Sequence, residues 1–352
     1  MPLSQNARQV TIGEARQRVS DRDSERKRDG KTQSRRDMVT TSDSAVSSTL
    51  TARDEMMIVA RDGDISVTGS TLHSEQGGLV VQASKDIHLN SATESQYQFS
   101  DERSEKKGYL SKSSSHRVKE DHVTRETGTL LSGNTVLLSA GNDLTVTGSA
   151  VVGDNDVTLQ AGNNIAITAA TETQYHYLLE EQKKSGLMGS GGIGFTVGSK
   201  SSRHQVKEDG ATQSQSVSTL GSSKGNLNLT AGNRMYIGGA DLVAGQDLTI
   251  TGDSVQIDPG YDKRTRKETF ESKQSGLSLA LSGTVGGALN TAVSTAQQAN
   301  KESDGRLRAL QGTKAALSGT QAALAYGQDN ALTEAADAKN AAAGLKAGDE
   351  GA

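Results

Sequence analysis

The sequence predicts an all-β protein built as a parallel β-helix, with coils of 20 to 22 residues. The first observation is an internal repeat: residues 64–70 (DISVTGS) return 79 positions later as residues 143–149 (DLTVTGS), and residues 234–240 form a looser copy. The second is a shorter spacing at which pairs of apolar residues return within each repeat. The third is composition. With no Trp and only 3 Phe in 352 residues, the chain favours a thin core of Val, Ile and Leu, as a stacked solenoid has.

Short strands account for the apolar pairs. Apolar residues alternate with others in residues 144–146, 157–159 and 165–167, which is the period-two pattern of a half-buried strand. Leu144 and Ile165 are 21 positions apart, and other such pairs are 20 to 22 apart. We therefore predict two strands per coil, with coils stacked at the strand spacing of about 4.8 Å. Local hairpins are the alternative, but they give no reason for a constant return.

An Ala-Gly-Asn motif separates the paired strands at residues 140–142, 161–163 and 231–233. Gly and Asn both tolerate positive φ, so the motif predicts a tight turn of that kind.

Long polar inserts interrupt the coils at residues 92–125 and 170–220, and the two inserts resemble each other. Alternation such as Gln96-Tyr97-Gln98-Phe99 favours extended strands, so we predict long β-hairpins or loops that leave the β-helix. An insert of this kind either contacts a partner or is a tolerated surface loop. Residues 20–41 look like the tail of an earlier insert whose coils are absent.

The composition divides the chain into three parts. We expect a charged, partly disordered repeat remnant over residues 1–53, the β-helix over 54–283, and an Ala/Gly-rich helical or disordered tail over 284–352. The β-helix contains units at about 54–131, 132–221 and 222–283. In the tail, Leu310, Leu317 and Leu324 are seven apart and share one helical face.

Bulk properties exclude several classes of function. A net charge of −4 gives no electrostatic case for nucleic acid, and the absence of Cys excludes disulfides and thiolate chemistry. The first ten residues contain no apolar core and no run of 18 apolar residues exists, so we predict no signal peptide and no transmembrane helix in this chain.

The sequence predicts no catalytic, cofactor-binding or metal-binding residue. His116 and His204 lie in corresponding charged inserts without convergent partners. Residues 189–194 (GSGGIG) lack the Lys-Ser/Thr of a phosphate-binding loop and favour a flexible linker. The calcium-binding nonapeptide is also absent. Because a parallel β-helix can also carry enzymes, a polysaccharide lyase-like enzyme is the alternative. In that case Lys119 or Lys207 would be an essential residue.

The motif at residues 138–148 (LSAGNDLTVTG), with a weaker copy at residues 229–238, resembles the haemagglutinin repeats of filamentous haemagglutinins. The Lys- and Ser-rich inserts resemble the second repeat class of contact-dependent growth inhibition effectors, which two-partner secretion exports. The resemblance covers about residues 20 to 283.

The resemblance implies a right-handed β-helix on the surface of a Gram-negative cell, as a non-enzymatic internal segment of a larger secreted protein. It implies a role in adhesion or in delivery of a C-terminal toxin into neighbouring bacteria. The implied partners are an outer-membrane transporter and the surface or outer membrane of the target cell, with no cofactor.

Overall fold

The computed structural model describes residues 3–189 and 195–274, and every regular element in them is a β-strand. In chain order the strands are β1 (Leu3–Ala7), β2 (Val10–Ile12), β3 (Ala15–Asp29), β4 (Thr32–Val46), β5 (Thr49–Ala52), β6 (Met56–Ala60), β7 (Ile65–Thr68), β8 (Thr71–Ser74), β9 (Leu79–Ala83), β10 (Ile87–Asn90), β11 (Ala92–Lys107), β12 (Ser111–Thr127), β13 (Leu130–Gly133), β14 (Val136–Ala140), β15 (Leu144–Thr147), β16 (Ala150–Gly153), β17 (Val157–Ala161), β18 (Ile165–Thr168), β19 (Glu172–Gly189), β20 (Phe195–Thr212), β21 (Ser218–Ser222), β22 (Leu227–Ala231), β23 (Arg234–Gly238), β24 (Ala240–Val243), β25 (Leu248–Thr251), β26 (Ser254–Asp258) and β27 (Asp262–Gln274).

Three parallel sheets form a stack of coils. Their strand orders are β1-β6-β9-β14-β17-β22-β25, β2-β7-β10-β15-β18-β23-β26 and β5-β8-β13-β16-β21-β24. The chain visits the three sheets in turn, so that β14, β15 and β16 make one coil and β17 begins the next. Each strand bonds to its equivalents in the coils before and after it, an arrangement consistent with a parallel β-helix.

The register confirms the predicted coil spacing. Leu144 pairs with Ile165, and Ile165 pairs with Met235 on the far side of an insert. However, each complete coil has three strands rather than the two that we predicted. Alternation does not mark the third strand in β13, β16 and β21, because nearly every residue of these strands is buried on either face.

The core consists of apolar ladders, in which one inward side chain per coil stacks on the next. The fully or nearly fully buried rungs are Ile65, Ile87, Leu144, Ile165 and Met235; Val67, Leu89, Val146, Ile167 and Ile237; Leu79, Val136, Val157 and Leu227; Val81, Leu138, Leu159 and Leu229; and Leu72, Leu131, Val151 and Leu220.

Two adjacent leucines in β14 test the inward assignment. Leu138 is fully buried, whereas Leu137 points outward and is half-buried. We expect Leu138→Ala to lower the free energy of unfolding by about 2–4 kcal/mol through lost burial and a residual cavity, and Leu137→Ala to cost well under half as much. Urea denaturation followed by circular dichroism measures both variants. Equal losses would contradict the assignment of the faces.

The glycines of the Ala-Gly-Asn motif have a different role from the one predicted. Gly141, Gly162 and Gly232 do not have positive φ. They are glycines because consecutive coils touch there: a Cβ on Gly162 would lie 2.2 Å from the carbonyl oxygen of Gly141, and one on Gly232 would lie 2.1 Å from that of Gly162. The Asn that follows bonds along the stack, since the side-chain amide of Asn233 donates to Oδ1 of Asn163 at 3.2 Å.

Positive φ occurs instead at the Thr-Gly-Ser corner between the second and third strands. Gly69 and Gly148 have φ of 53° and 54°. A Cβ on Gly69 would approach that of Ala92 to 2.5 Å, and Gly148 meets Ala170 in the same way. Ala92 and Ala170 are the points at which the next coil leaves to form an insert. The tight corners and the inserts therefore alternate from coil to coil.

The inserts assemble into a fourth sheet, which we call the arm sheet: β3, β4, β11, β12, β19, β20 and β27. It is seven-stranded, in the order β3-β4-β11-β12-β19-β20-β27, and each strand pairs antiparallel with its neighbours. The sequence predicted long hairpins or loops that leave the β-helix, but not that these inserts pair with one another. Each hairpin adds two strands for every two coils, so about 9.6 Å of sheet width accompanies about 9.6 Å of coil rise. Hairpin can therefore pair with hairpin without bending.

The region before residue 54 differs from the expected remnant without coils. β1, β2 and β5 form a first coil, and β3 and β4 form a complete hairpin between them. The sequence did not predict this hairpin, because its strands are exposed and charged. Exposed strands need no alternating apolar residues. Val10 alone supplies a fully buried side chain from β2.

Two predictions fall outside the described residues: the tail over residues 284–352, including its helical heptads, and most of the Gly-rich stretch at 189–194. In the described ranges, no helix is long and apolar enough to cross a membrane.

Candidate interaction surface on the arm sheet

The arm sheet offers two wide faces to its surroundings. β11 alone has 16 residues and extends about 50 Å from its start beside the coils. Residues paired across antiparallel strands share a face, and alternate residues along one strand take opposite faces. We call the face that carries Tyr97 and Phe99 the aromatic face and the other the opposite face.

A carboxylate at the base of each later hairpin ties it to the hairpin before. Glu94 in β11 accepts a hydrogen bond from the Ala45 amide at 2.9 Å, and Glu172 in β19 accepts one from the Glu126 amide at 3.1 Å. These clamps lie where the arms leave the coils, so they set the position of each hairpin against its neighbour.

The third clamp is Asp262, at the start of β27. Its Oδ1 accepts hydrogen bonds from the Thr212 hydroxyl at 2.6 Å and from the amides of Gln213 and Ser214 at 2.9 and 3.1 Å. Partial burial raises the pKa of Asp262, but the hydrogen bonds from Thr212 and Ser214 outweigh it. The pKa is lowered from 3.8 to about 2.

This lowered pKa makes the attachment of β27 sensitive to acid. The clamp contributes its full stability above the unfolded-state pKa of about 3.9, and the contribution disappears as the pH falls through about 2. We expect Asp262→Asn to lower the urea midpoint at pH 5 and to differ little from the parent at pH 2. Asp253→Asn, an exposed carboxylate in the same coil, is the control. A difference that persists unchanged at pH 2 would contradict the clamp.

Aromatic side chains form a band on the aromatic face, near the base. The Tyr97 hydroxyl donates to Glu120 at 3.3 Å, and its ring meets His122 edge-on at 6.2 Å. The Lys207 ammonium lies 5.7 Å from the centre of the Tyr175 ring. Burial, followed by the charge of Glu120, raises the pKa of both tyrosines. The band is therefore a partly desolvated surface of neutral phenols.

The histidines noted in the sequence bridge neighbouring strands. His116 Nε2 lies 3.0 Å from Asp101 and its Nδ1 lies 3.8 Å from Glu181. His204 Nε2 lies 2.7 Å from Glu268. Within the described ranges, no group of three or more His, Cys, Asp or Glu side chains is arranged to hold a metal ion.

Lys119 and Lys207 do not meet in one site. Lys119 pairs with Leu178, which pairs with Val206, so Lys119 shares the opposite face with Val206. Lys207 is the next residue and lies on the aromatic face. Each is engaged locally, Lys119 with Asp121 at 2.8 Å and Lys207 with Asp209 at 3.7 Å.

Sequence reasoning missed the pairing between hairpins. For example, Val118 of one hairpin pairs with Leu179 of the next, 61 positions away. One signal in the sequence could have predicted this pairing: coils with an insert alternate with coils without one. Each hairpin therefore adds two strands for every two coils, which places neighbouring hairpins at the strand spacing of a continuous sheet.

The fold and this surface define a repeat scaffold, in which stacked coils carry a sheet of projecting arms. The chain belongs to the hemagglutinin repeat family, whose model matches residues 30–113 and 108–246, more than half of the chain. It is a repeat segment of the haemagglutinin and contact-dependent-inhibition type, and these comparisons give no support to the lyase-like alternative.

Several curated relatives share this segment. A 16S rRNA endonuclease CdiA of Enterobacter cloacae is 52% identical over 235 residues, or 67% of this chain and 7% of that protein. A tRNA nuclease CdiA of Escherichia coli strain 536 is 51% identical over 226 residues, 64% of this chain and 7% of its own. A deoxyribonuclease CdiA of Dickeya dadantii is 52% identical over 240 residues, 68% of this chain and 7% of its own. The chain thus spans about 7% of the length of these relatives. No solved structure shows a significant match.

Proposed function

We propose that this chain is a right-handed β-helical segment of a secreted surface protein of Gram-negative bacteria, and that it serves adhesion or delivery of a toxin into neighbouring bacteria. The partners of the full-length protein in this proposal are an outer-membrane transporter and the surface or outer membrane of the target cell. The segment itself performs no catalysis.

One observation carries the proposal. Relatives that are named for three different activities, a 16S rRNA endonuclease, a tRNA nuclease and a deoxyribonuclease, share this segment at 51–52% identity. A segment common to proteins with different nuclease names serves a task that does not depend on which nucleic acid is cut. Transport and contact are tasks of that kind.

The arm sheet supports contact as the mode of action. Its hairpins project about 50 Å from the coils and hold their place through cross-hairpin pairing and basal clamps. A long, laterally supported sheet is a stiffer platform than separate two-stranded arms, which are marginally stable alone.

The test is an exchange in the Enterobacter cloacae relative. The matched region is removed in frame in one strain and replaced by the present sequence in another, and target attachment and target killing are scored separately. In the deletion strain, loss of killing with normal attachment supports delivery, and loss of both supports adhesion. The replacement should restore what the deletion removed. If the deletion leaves both readouts unchanged, the proposal is wrong.

A further inference from the structure

Three arginines lie side by side near the outer end of the arm sheet. Arg26 pairs with Arg35, and Arg35 pairs with Arg103, so the three occupy one row on the adjacent strands β3, β4 and β11. We call them the arginine row. They lie on the aromatic face, about 37 Å beyond the base of β11, well outside the aromatic band.

The arginine row lines a groove with a volume of about 550 Å³. The groove is strongly basic, although the chain as a whole has a net charge of −4. Its ionisable lining on the aromatic face comprises five Lys or Arg residues, two Glu and one His: Arg26, Arg28, Arg35, Arg103, Lys183, Glu105, Glu181 and His116.

Cations outside the arginine row neutralise both acidic residues of the groove. Glu181 lies 3.5 Å from Arg203, and Glu105 lies 3.0 Å from Lys112 and 3.5 Å from Lys107. No carboxylate among the described side chains lies within ion-pair distance of Arg26 or Arg28. The guanidinium groups of Arg26 and Arg28 are therefore available to bind an anionic ligand.

Two members of the row are held in place. Arg35 Nε donates to Asp37 at 2.6 Å, and Arg103 donates to Asp101 at 3.2 and 3.0 Å. Each guanidinium has five N–H donors, so these bonds orient it and leave other donors available. Less side-chain entropy is then lost when a ligand binds.

The opposite face at the same height is different. Arg36 pairs with Glu102 at 3.1 Å, and Arg117 pairs with Glu180 at 3.2 Å, both across neighbouring strands. Ion pairs balance that face. In the groove, Arg35 and Arg103 are paired as well, with Asp37 and Asp101, but Arg26 and Arg28 are not paired with any described carboxylate. These two supply the unpaired positive charge of the groove.

We propose that the groove binds a phosphorylated saccharide, with the arginine row on its phosphate groups. Arg matches the geometry of phosphate oxygens with paired N–H donors. The remaining side chains that line the groove on this face are Gln33 and Ser114, both polar, which suits sugar hydroxyls. The lining contains no apolar or aromatic side chain, so a lipid tail or a nucleobase has nothing to pack against.

Isothermal titration of the full chain with fructose 1,6-bisphosphate tests this proposal, which does not depend on the proposed function. Fructose, inorganic phosphate and vesicles of phosphatidic acid in phosphatidylcholine serve as comparison ligands. We expect Arg26→Gln/Arg103→Gln to weaken binding of the bisphosphate about tenfold. The matched variant Arg36→Gln/Arg117→Gln removes the same charge from the opposite face and should change affinity less than twofold.

Each outcome decides for or against the groove. The single variant Arg26→Gln removes an exposed arginine without an ion pair and checks the result independently of folding. Equal weakening by the two double variants would show charge attraction without a site and overturn the proposal. Absence of bisphosphate binding by the parent, or binding to vesicles alone, would also overturn it. Binding of the bisphosphate more tightly than phosphate, with no binding of fructose, supports it.

Discussion

A Gly162→Val variant is expected to lose about 4 kcal/mol or more of the free energy of unfolding. The added Cβ would stand 2.2 Å from the carbonyl oxygen of Gly141, which belongs to the backbone of the previous coil. Backbone cannot rotate away as a side chain can, so the two coils would have to separate. Separation strains the ladder bonds on both sides of the corner and opens the tightly packed core.

The measurement is urea unfolding of the full chain, with Gly13→Val as the matched control. Gly13 also lies in a connection outside the strands, but an added Cβ there meets nothing within 4 Å and its φ is not positive. We expect the control to change stability by less than about 1 kcal/mol. If Gly162→Val is as well tolerated as Gly13→Val, coil contact is not the reason for glycine in the motif.

Removal of the middle hairpin is expected to divide the arm sheet while the coils stay folded. Residues 91–129 are replaced by Gly-Ser, the same corner that connects Thr147 to Ala150 through Gly148 and Ser149. The gap between β4 and β19 is three strand spacings, about 14 Å, and the coils prevent it from closing. β3 and β4 then remain as an isolated pair, which is marginally stable.

Hydrogen exchange with mass spectrometry detects this division. We expect amides of β3 and β4 to lose their protection, whereas β14, β15 and the other coil strands keep theirs. A shorter deletion, with residues 102–117 replaced by Asn-Gly, keeps the pairing of β11 with residues 37–43 and should expose only the outer half of β4. Full protection of β3 and β4 after removal of the whole hairpin would show that the arms do not depend on each other.

Much of the coil geometry was predictable. The 21-residue return of Leu144 to Ile165 is the register of the second sheet, because a parallel ladder repeats every inward residue at the same height. The third strand was not predictable from alternation, since strands such as β16 are covered on both faces. The role of Gly162 was also inaccessible, because the atom that excludes a side chain belongs to another coil.

The candidate surface was less predictable than the coils. The inserts were recognised as extended and polar, but nothing in Arg26, Arg35 and Arg103 marks them as neighbours, since 68 positions separate Arg35 from Arg103. Their juxtaposition depends on the register between hairpins. A charge count therefore found a balanced chain, whereas the assembled sheet brings Arg26 and Arg28, which have no ion pair with a described side chain, into one groove with Arg35 and Arg103.

The sequence by itself determined the repeat, the spacing of the coils and the positions at which inserts leave them. These features are local: they depend on period-two alternation and on small residues at corners, both of which are present in a single stretch of chain. Only the tertiary structure decided that the inserts form one sheet and which charges share a face. The physical reason is a match of distances: the width of two neighbouring strands in the arm sheet equals the rise of two coils along the stack. The hairpins are held at this spacing only after the coils have stacked.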